Sequence, residues 1–106
     1  MVGDGFTYTN RDGSMEPGRL WVLPSLIQQL DKAEDIEHPD VSVTHESGWA
    51  LSLFRSGAIV FENVEEAGST PVHLYATRDE QLIASTAVAS GRRDLIADWP
   101  WLPGNG

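Results

Sequence analysis

The sequence predicts an α+β domain: an N-terminal helix, a four-stranded antiparallel meander, and two C-terminal helices packed on the sheet. Three observations predict it. Leu23, Leu26, Ile27 and Leu30 fall on one stripe of an α-helix. Two Ser-Gly breaks, Ser47-Gly48 and Ser56-Gly57, separate β-rich runs in the manner of consecutive hairpins. Thr77-Arg78-Asp79-Glu80 has the form of a capping box that opens a later helix. Strands grouped together and flanked by helices, without β–α alternation, indicate an antiparallel sheet.

At 106 residues the chain fits one domain, 1–106. Residues 1–18 carry Gly3, Gly5, Gly13, Pro17 and Gly18 and read as a flexible arm. Within it, Phe6 to Thr9 can make a short edge strand before a turn at Asn10-Arg11-Asp12-Gly13. The first helix should run from Pro24 to Asp35. Pro24 suits a first helical turn, and the helix must stop before His38-Pro39 because a residue preceding proline disfavours helical dihedrals.

The period then shortens to two. Val41, Val43 and His45 alternate with Ser42, Thr44 and Glu46, and further strands follow at 49–54, 58–64 and 72–76. On these strands Phe54, Ile59 and Phe61 compete with Leu51, Leu53 and Val60 for the core side, so either both faces are partly covered or one meets a partner. The capped helix extends to Ser90 with Ile83, Ala84, Ala87 and Val88 inward, and Gly91 ends it. A short helix over Arg92 to Asp98 precedes an extended tail containing Trp99 and Trp101.

Sixteen acidic residues against seven Lys and Arg give a net charge of −9. Such a chain repels nucleic-acid backbones, which proteins meet with Lys and Arg, and it repels anionic membrane surfaces. It favours a basic protein partner, whose approach the field accelerates. No apolar run approaches the roughly 18 residues of a membrane span, and Met1-Val2-Gly3-Asp4-Gly5 has neither the basic start nor the apolar stretch of a secretory signal. The expected location is the cytoplasm. Cysteine is absent, which excludes disulfides, thiolate metal sites and a cysteine nucleophile.

The search for chemistry assigns no catalytic residue, metal or cofactor. His38, His45 and His73 form no H-E-x-x-H pair. His45 and His73 with Glu46 or Glu62 define the alternative of a small hydrolase or metal-assisted enzyme, although strand alternation sets Glu46 on the face opposite His45. Ser47 and Ser56 fall in turns, not in a nucleophile elbow. No phosphate loop, dinucleotide fingerprint or deaminase signature is present.

Recognition surfaces remain. Asp31, Glu34, Asp35, Glu37 and Asp40, against Lys32 alone, make an acidic segment running off the first helix. Negative charge there opposes the helix dipole, and charge placed against local stability points to binding. Glu65 and Glu66 are further candidates for partner contact, as is Trp101. An exposed tryptophan is a strong interface residue. At this spacing Trp99 and Trp101 also read as a clamp of the terminus on the sheet.

Gly48-Trp49, Leu51-Ser52, Gly57, Phe61-Glu62-Asn63 and His73, with Trp99-Pro100-Trp101 and Pro103-Gly104 at the end, span 48–104. This set resembles small bacterial proteins associated with the immunity proteins of polymorphic toxin systems. The resemblance implies a compact, acidic inhibitor that covers the active site of a cognate toxin. The leading expectation is therefore a protein-binding module, with a homo-oligomeric structural domain as a further alternative.

Overall fold

The computed structural model describes residues 5–31, 40–63, 65, 68 and 70–104. It corrects the expectation of a four-stranded meander between one N-terminal and two C-terminal helices. The strands are β1 (Phe6–Thr9), β2 (Met15–Pro17), β3 (Asp40–His45), β4 (Trp49–Phe54), β5 (Ala58–Asn63), β6 (Val72–Tyr75) and β7 (Leu102–Pro103). They form one seven-stranded antiparallel sheet in the order β2-β1-β3-β4-β5-β6-β7. The expected meander is its middle; the presumed arm adds two strands at one side and the tail adds one at the other.

The helices are correspondingly smaller. The first, α1 (Leu23–Gln28), lies between 3-10 turns at Leu20–Val22 and Gln29–Asp31, and the rest of the expected Pro24–Asp35 helix falls outside the described residues. The second, α2 (Arg78–Ala89), carries the predicted capping box: Glu80 N–H donates to Thr77 Oγ1 at 3.1 Å and Thr77 N–H to Glu80 Oε1 at 2.9 Å. In place of a second C-terminal helix there is a 3-10 turn at Arg93–Ile96. Gly91 closes α2 in a left-handed conformation, φ 72°, while Arg92 N–H reaches back to the Ala87 carbonyl. A side chain at Gly91 would also crowd the His45 ring.

The strand expected at Phe6–Thr9 is present as β1, but β2 outside it makes it an inner strand, and the contacts that fix this hairpin are remote in sequence. Phe6 is buried, and Arg11 donates through Nη1 to the Gln29 carbonyl at 2.9 Å. Gln29 in turn donates to Asn10 Oδ1 at 2.7 Å, so the β1–β2 turn is tied to the end of α1. Gly18 lies against the Phe6 ring so closely that a Cβ there would overlap it.

Register assigns the two faces of the sheet. Val41 opposes Leu53 and Val43 opposes Leu51; Leu51 opposes Phe61 and Leu53 opposes Ile59. Opposed residues share a face, so Ile59 and Phe61 join Leu51 and Leu53 under the helices. These side chains pack with Leu23, Leu26, Ile27 and Leu30 of the first helical region and with Ala84, Ala87 and Val88 of α2. Ile83, expected inward, is 54% exposed, and its place on the buried face is taken by Gln81 and Ser85. Both edge strands are short and contain proline, Pro17 in β2 and Pro103 in β7. Proline withholds the N–H that another chain's strand would pair with. No helix among the described residues is long and apolar enough to cross a membrane.

Gly18→Ala should lower stability by about 1–3 kcal/mol, the usual cost of forcing extra volume into a packed core, and urea unfolding measures it. Wild-type stability in this variant would mean that the Phe6 contact, and with it the ordered N-terminal hairpin, is misplaced.

Candidate functional site

The sheet's second face carries the alternate residues. In β3 and β4 these are Ser42, Thr44, Ala50, Ser52 and Phe54; Val60 and Ala58 follow in β5, and His73 and Tyr75 in β6. Val60 and Ala58 are buried yet stand outside the core cluster formed with the helices. The helices pack against the opposite face. With strands about 4.8 Å apart and about 3.3 Å of rise per residue, this open face covers roughly 500 Å². Charge is nearly absent from it: Asp40 and Glu62, at opposite ends of their strands, are its carboxylates among the described residues. In a chain of net charge −9 that is a segregated surface, neutral across the middle and acidic at the margin.

The helix side holds a different feature, at the end of the sheet marked by Gly48. Trp49 stacks on Phe61 with centroids 4.7 Å apart, Phe61 on Trp101 at 5.5 Å, and Trp101 on Trp99 at 6.2 Å. Trp101 Nε1–H donates to the Ile96 carbonyl at 2.8 Å, which fixes the indole plane. The Arg93 guanidinium lies 4.5 Å over the Trp49 ring. Trp49, Phe61, Trp101 and Arg93, with Val72, Thr70 and Ala97, line an open pocket of about 240 Å³.

The predicted partner-binding residues do not gather in one place. Asp31 is engaged: Arg78 reaches it through Nη2 at 3.0 Å and Nε at 3.1 Å. Asp40 opposes Phe54 and so sits at the same end of the sheet as the β4–β5 turn. Glu65 lies against Gly48 at the other end, where Trp101 also packs. A six-residue strand separates these ends by about 17 Å. Glu34, Asp35, Glu37 and Glu66 lie outside the described residues.

The histidines proposed for metal or hydrolytic chemistry are also apart. His45 is on the helix side, opposite Phe6, whereas His73 is on the open face, opposite Val60. Two strands intervene. His45 is held locally, since Ser47 N–H donates to its Nδ1 at 3.1 Å and Ser47 Oγ lies 2.8 Å from the same nitrogen. In the neutral ring the hydrogen therefore sits on Nε2, the atom facing Gly91. The His73 Nδ1 is 3.0 Å from the Gly104 carbonyl, within hydrogen-bond reach across the β6–β7 edge. No group of three or more potential ligands that could hold a metal occurs among the described residues.

Three titrating groups among the described residues are displaced from their ordinary values. Arg92 is pushed up by its hydrogen bonds to Asp94. The side-chain hydrogen bonds from Arg92, at 3.1 and 3.2 Å, hold the Asp94 carboxyl low. Desolvation, followed by the neighbouring Glu16 carboxylate, pushes the Tyr8 phenol up. Asp94 is thus hydrogen-bonded to Arg92, while Arg93 acts on it only through space and makes no direct ion pair among the described residues.

Sequence reasoning passed over two residues. Trp21 is 78% exposed in the turn before α1, a position its apolar neighbours Leu20, Val22 and Leu23 made look like core. Arg93 gave no signal, because its contact with Trp49 joins segments far apart in the chain. Comparison with protein-family models, curated proteins and solved structures finds no match to this chain.

Trp101 can act as a clamp, a partner contact or both, and its stability cost separates these. Trp101→Phe should cost about 1 kcal/mol for the lost hydrogen bond, and Trp101→Ala about 2–3 kcal/mol for a half-buried aromatic. Unchanged unfolding curves for both variants would leave partner contact as the residue's role.

Proposed function

We propose that this chain is a protein-binding module of the immunity type, one that neutralises a cognate bacterial toxin by covering its basic active site. The observation carrying the reading is the segregated charge of the open sheet face. Interfaces are depleted of charge at their centre and polar at their rim. Here Ser42, Thr44 and Ser52 supply a neutral centre, with Asp40 and Glu62 at the margin. Its area is more than half of the roughly 800 Å² that each partner contributes to a standard interface. Overall charge, −9, adds long-range attraction for a basic surface. The resemblance of residues 48–104 to immunity proteins supports the same reading, and exposed Trp21 offers an aromatic anchor outside the sheet.

Relative to the expectation from sequence, emphasis moves from the acidic segment 31–40 to the sheet. Asp31 already serves the fold through Arg78, while Asp40 keeps its candidate role at the rim.

Calorimetry against the toxin domain encoded beside this gene tests the reading. Binding should be submicromolar and should weaken as salt rises. The double variant Asp40→Lys, Glu62→Lys should reduce affinity at least tenfold, mainly through slower association. No binding at micromolar concentration, or binding indifferent to that double variant, would overturn it.

A further inference from the structure

The aromatic pocket on the helix side lies across the sheet from the proposed docking face, and the inference drawn from it does not depend on that proposal. Its walls are set before any ligand arrives. Trp101 is fixed by its hydrogen bond to Ile96, and Phe61 is held between the Trp49 and Trp101 rings. A volume of about 240 Å³ falls just short of the usual range for drug-sized ligands, about 300–1,000 Å³, so it suits a single ring with a short substituent.

Charge then narrows the class. Arg93 is the charged residue of the lining. Nearby Arg92 is paired with Asp94, and Arg78 with Asp31, whereas Arg93 makes no direct ion pair among the described residues and feels the neighbouring Asp94 carboxylate only through space. Its guanidinium carbon lies over the Trp49 ring, 4.5 Å from the centroid. A guanidinium so placed keeps an N–H edge free, and that edge matches a carboxylate in bidentate geometry. Thr70 lines the same pocket. The net charge of −9 disfavours a polyanion at long range, which leaves a monoanion.

We propose that this pocket binds a small aromatic monocarboxylate, its ring against Trp49, Phe61 and Trp101 and its carboxylate on Arg93. Titration of the ¹⁵N-labelled full chain with 3-phenylpropanoate, and separately with the neutral 3-phenylpropanamide, tests this through the indole N–H signals. The acid should shift the Trp49 and Trp101 signals saturably while leaving Trp21 in place, and the amide should bind at least tenfold more weakly. Arg93→Gln should remove that preference, bringing acid and amide to similar affinity, and Arg93→Lys should restore part of it. Circular dichroism of both variants should match wild type, because Arg93 is exposed. Equal binding of acid and amide to the wild type would overturn the carboxylate class. Absence of saturable shifts, or shifts confined to Trp21, would overturn the site itself.

Discussion

One buried amide, Gln81, fixes where α2 lies, and through α2 the packing of the helix side. Its side chain is fully enclosed. The Nε2 group donates to the Phe54 carbonyl at 2.9 Å, and Oε1 accepts from Arg78 Nη1 at 2.9 Å. A buried amide without partners costs several kcal/mol in an apolar setting, so α2 is stable only where the end of β4 presents that carbonyl. Arg78 extends the lock, donating also to the Arg55 carbonyl at 2.7 Å and to Asp31. One helical turn thereby joins α2, the β4–β5 turn and the end of the first helical region. Small residues along the rest of the helix, Ala84 and Ala87, then let it lie close to β3 and β4.

A consequence of this arrangement is a division of labour between the faces of the sheet. The helix side takes up the large aliphatic side chains of β3 and β4 and closes one end with the Trp49–Phe61–Trp101 stack. The other side is left with Ser42, Thr44 and Ser52 in β3 and β4, with Phe54, Val60, His73 and Tyr75 around them and few charges. Burial of a helix-side residue contributes to folding; a residue of the open side is free to be selected for contact. Proline in both edge strands adds a further restriction, because it discourages pairing through the edges and directs any association to a face.

Local signals were legible in the sequence: the capping box at Thr77, the Ser-Gly turns at 47–48 and 56–57, and the stripe from Leu23 to Leu30 each depend on a few neighbouring residues. What escaped depends on distance along the chain. The strand at Phe6–Thr9 was legible, but Met15–Pro17 has too little apolar character to announce its partner, and the hairpin is fixed because Phe6 meets Gly18 and Arg11 meets Gln29. The tail pairs through Val72 and His73 with Pro103 and Leu102, a contact no local pattern encodes. Competition between Phe54, Ile59, Phe61 and Val60 for the core face could be settled only by cross-strand register. For the candidate sites, the acidity was plain, but its distribution was not. Asp31 looked available until Arg78, 47 residues onward, was placed beside it.

The assignment of one face to folding and the other to contact is tested most directly by placing the same charge on neighbouring residues of β4. Thermal unfolding of Leu51→Lys and Ser52→Lys makes the comparison, since Leu51 is fully buried under the helices and Ser52 faces the opposite way. Leu51→Lys should abolish the cooperative transition, while Ser52→Lys should melt within about a degree or two of wild type, as expected where a surface change costs no more than about 0.5 kcal/mol. Loss of the transition in Ser52→Lys as well would show that the second face is itself part of the core, and the division of the sheet would be wrong.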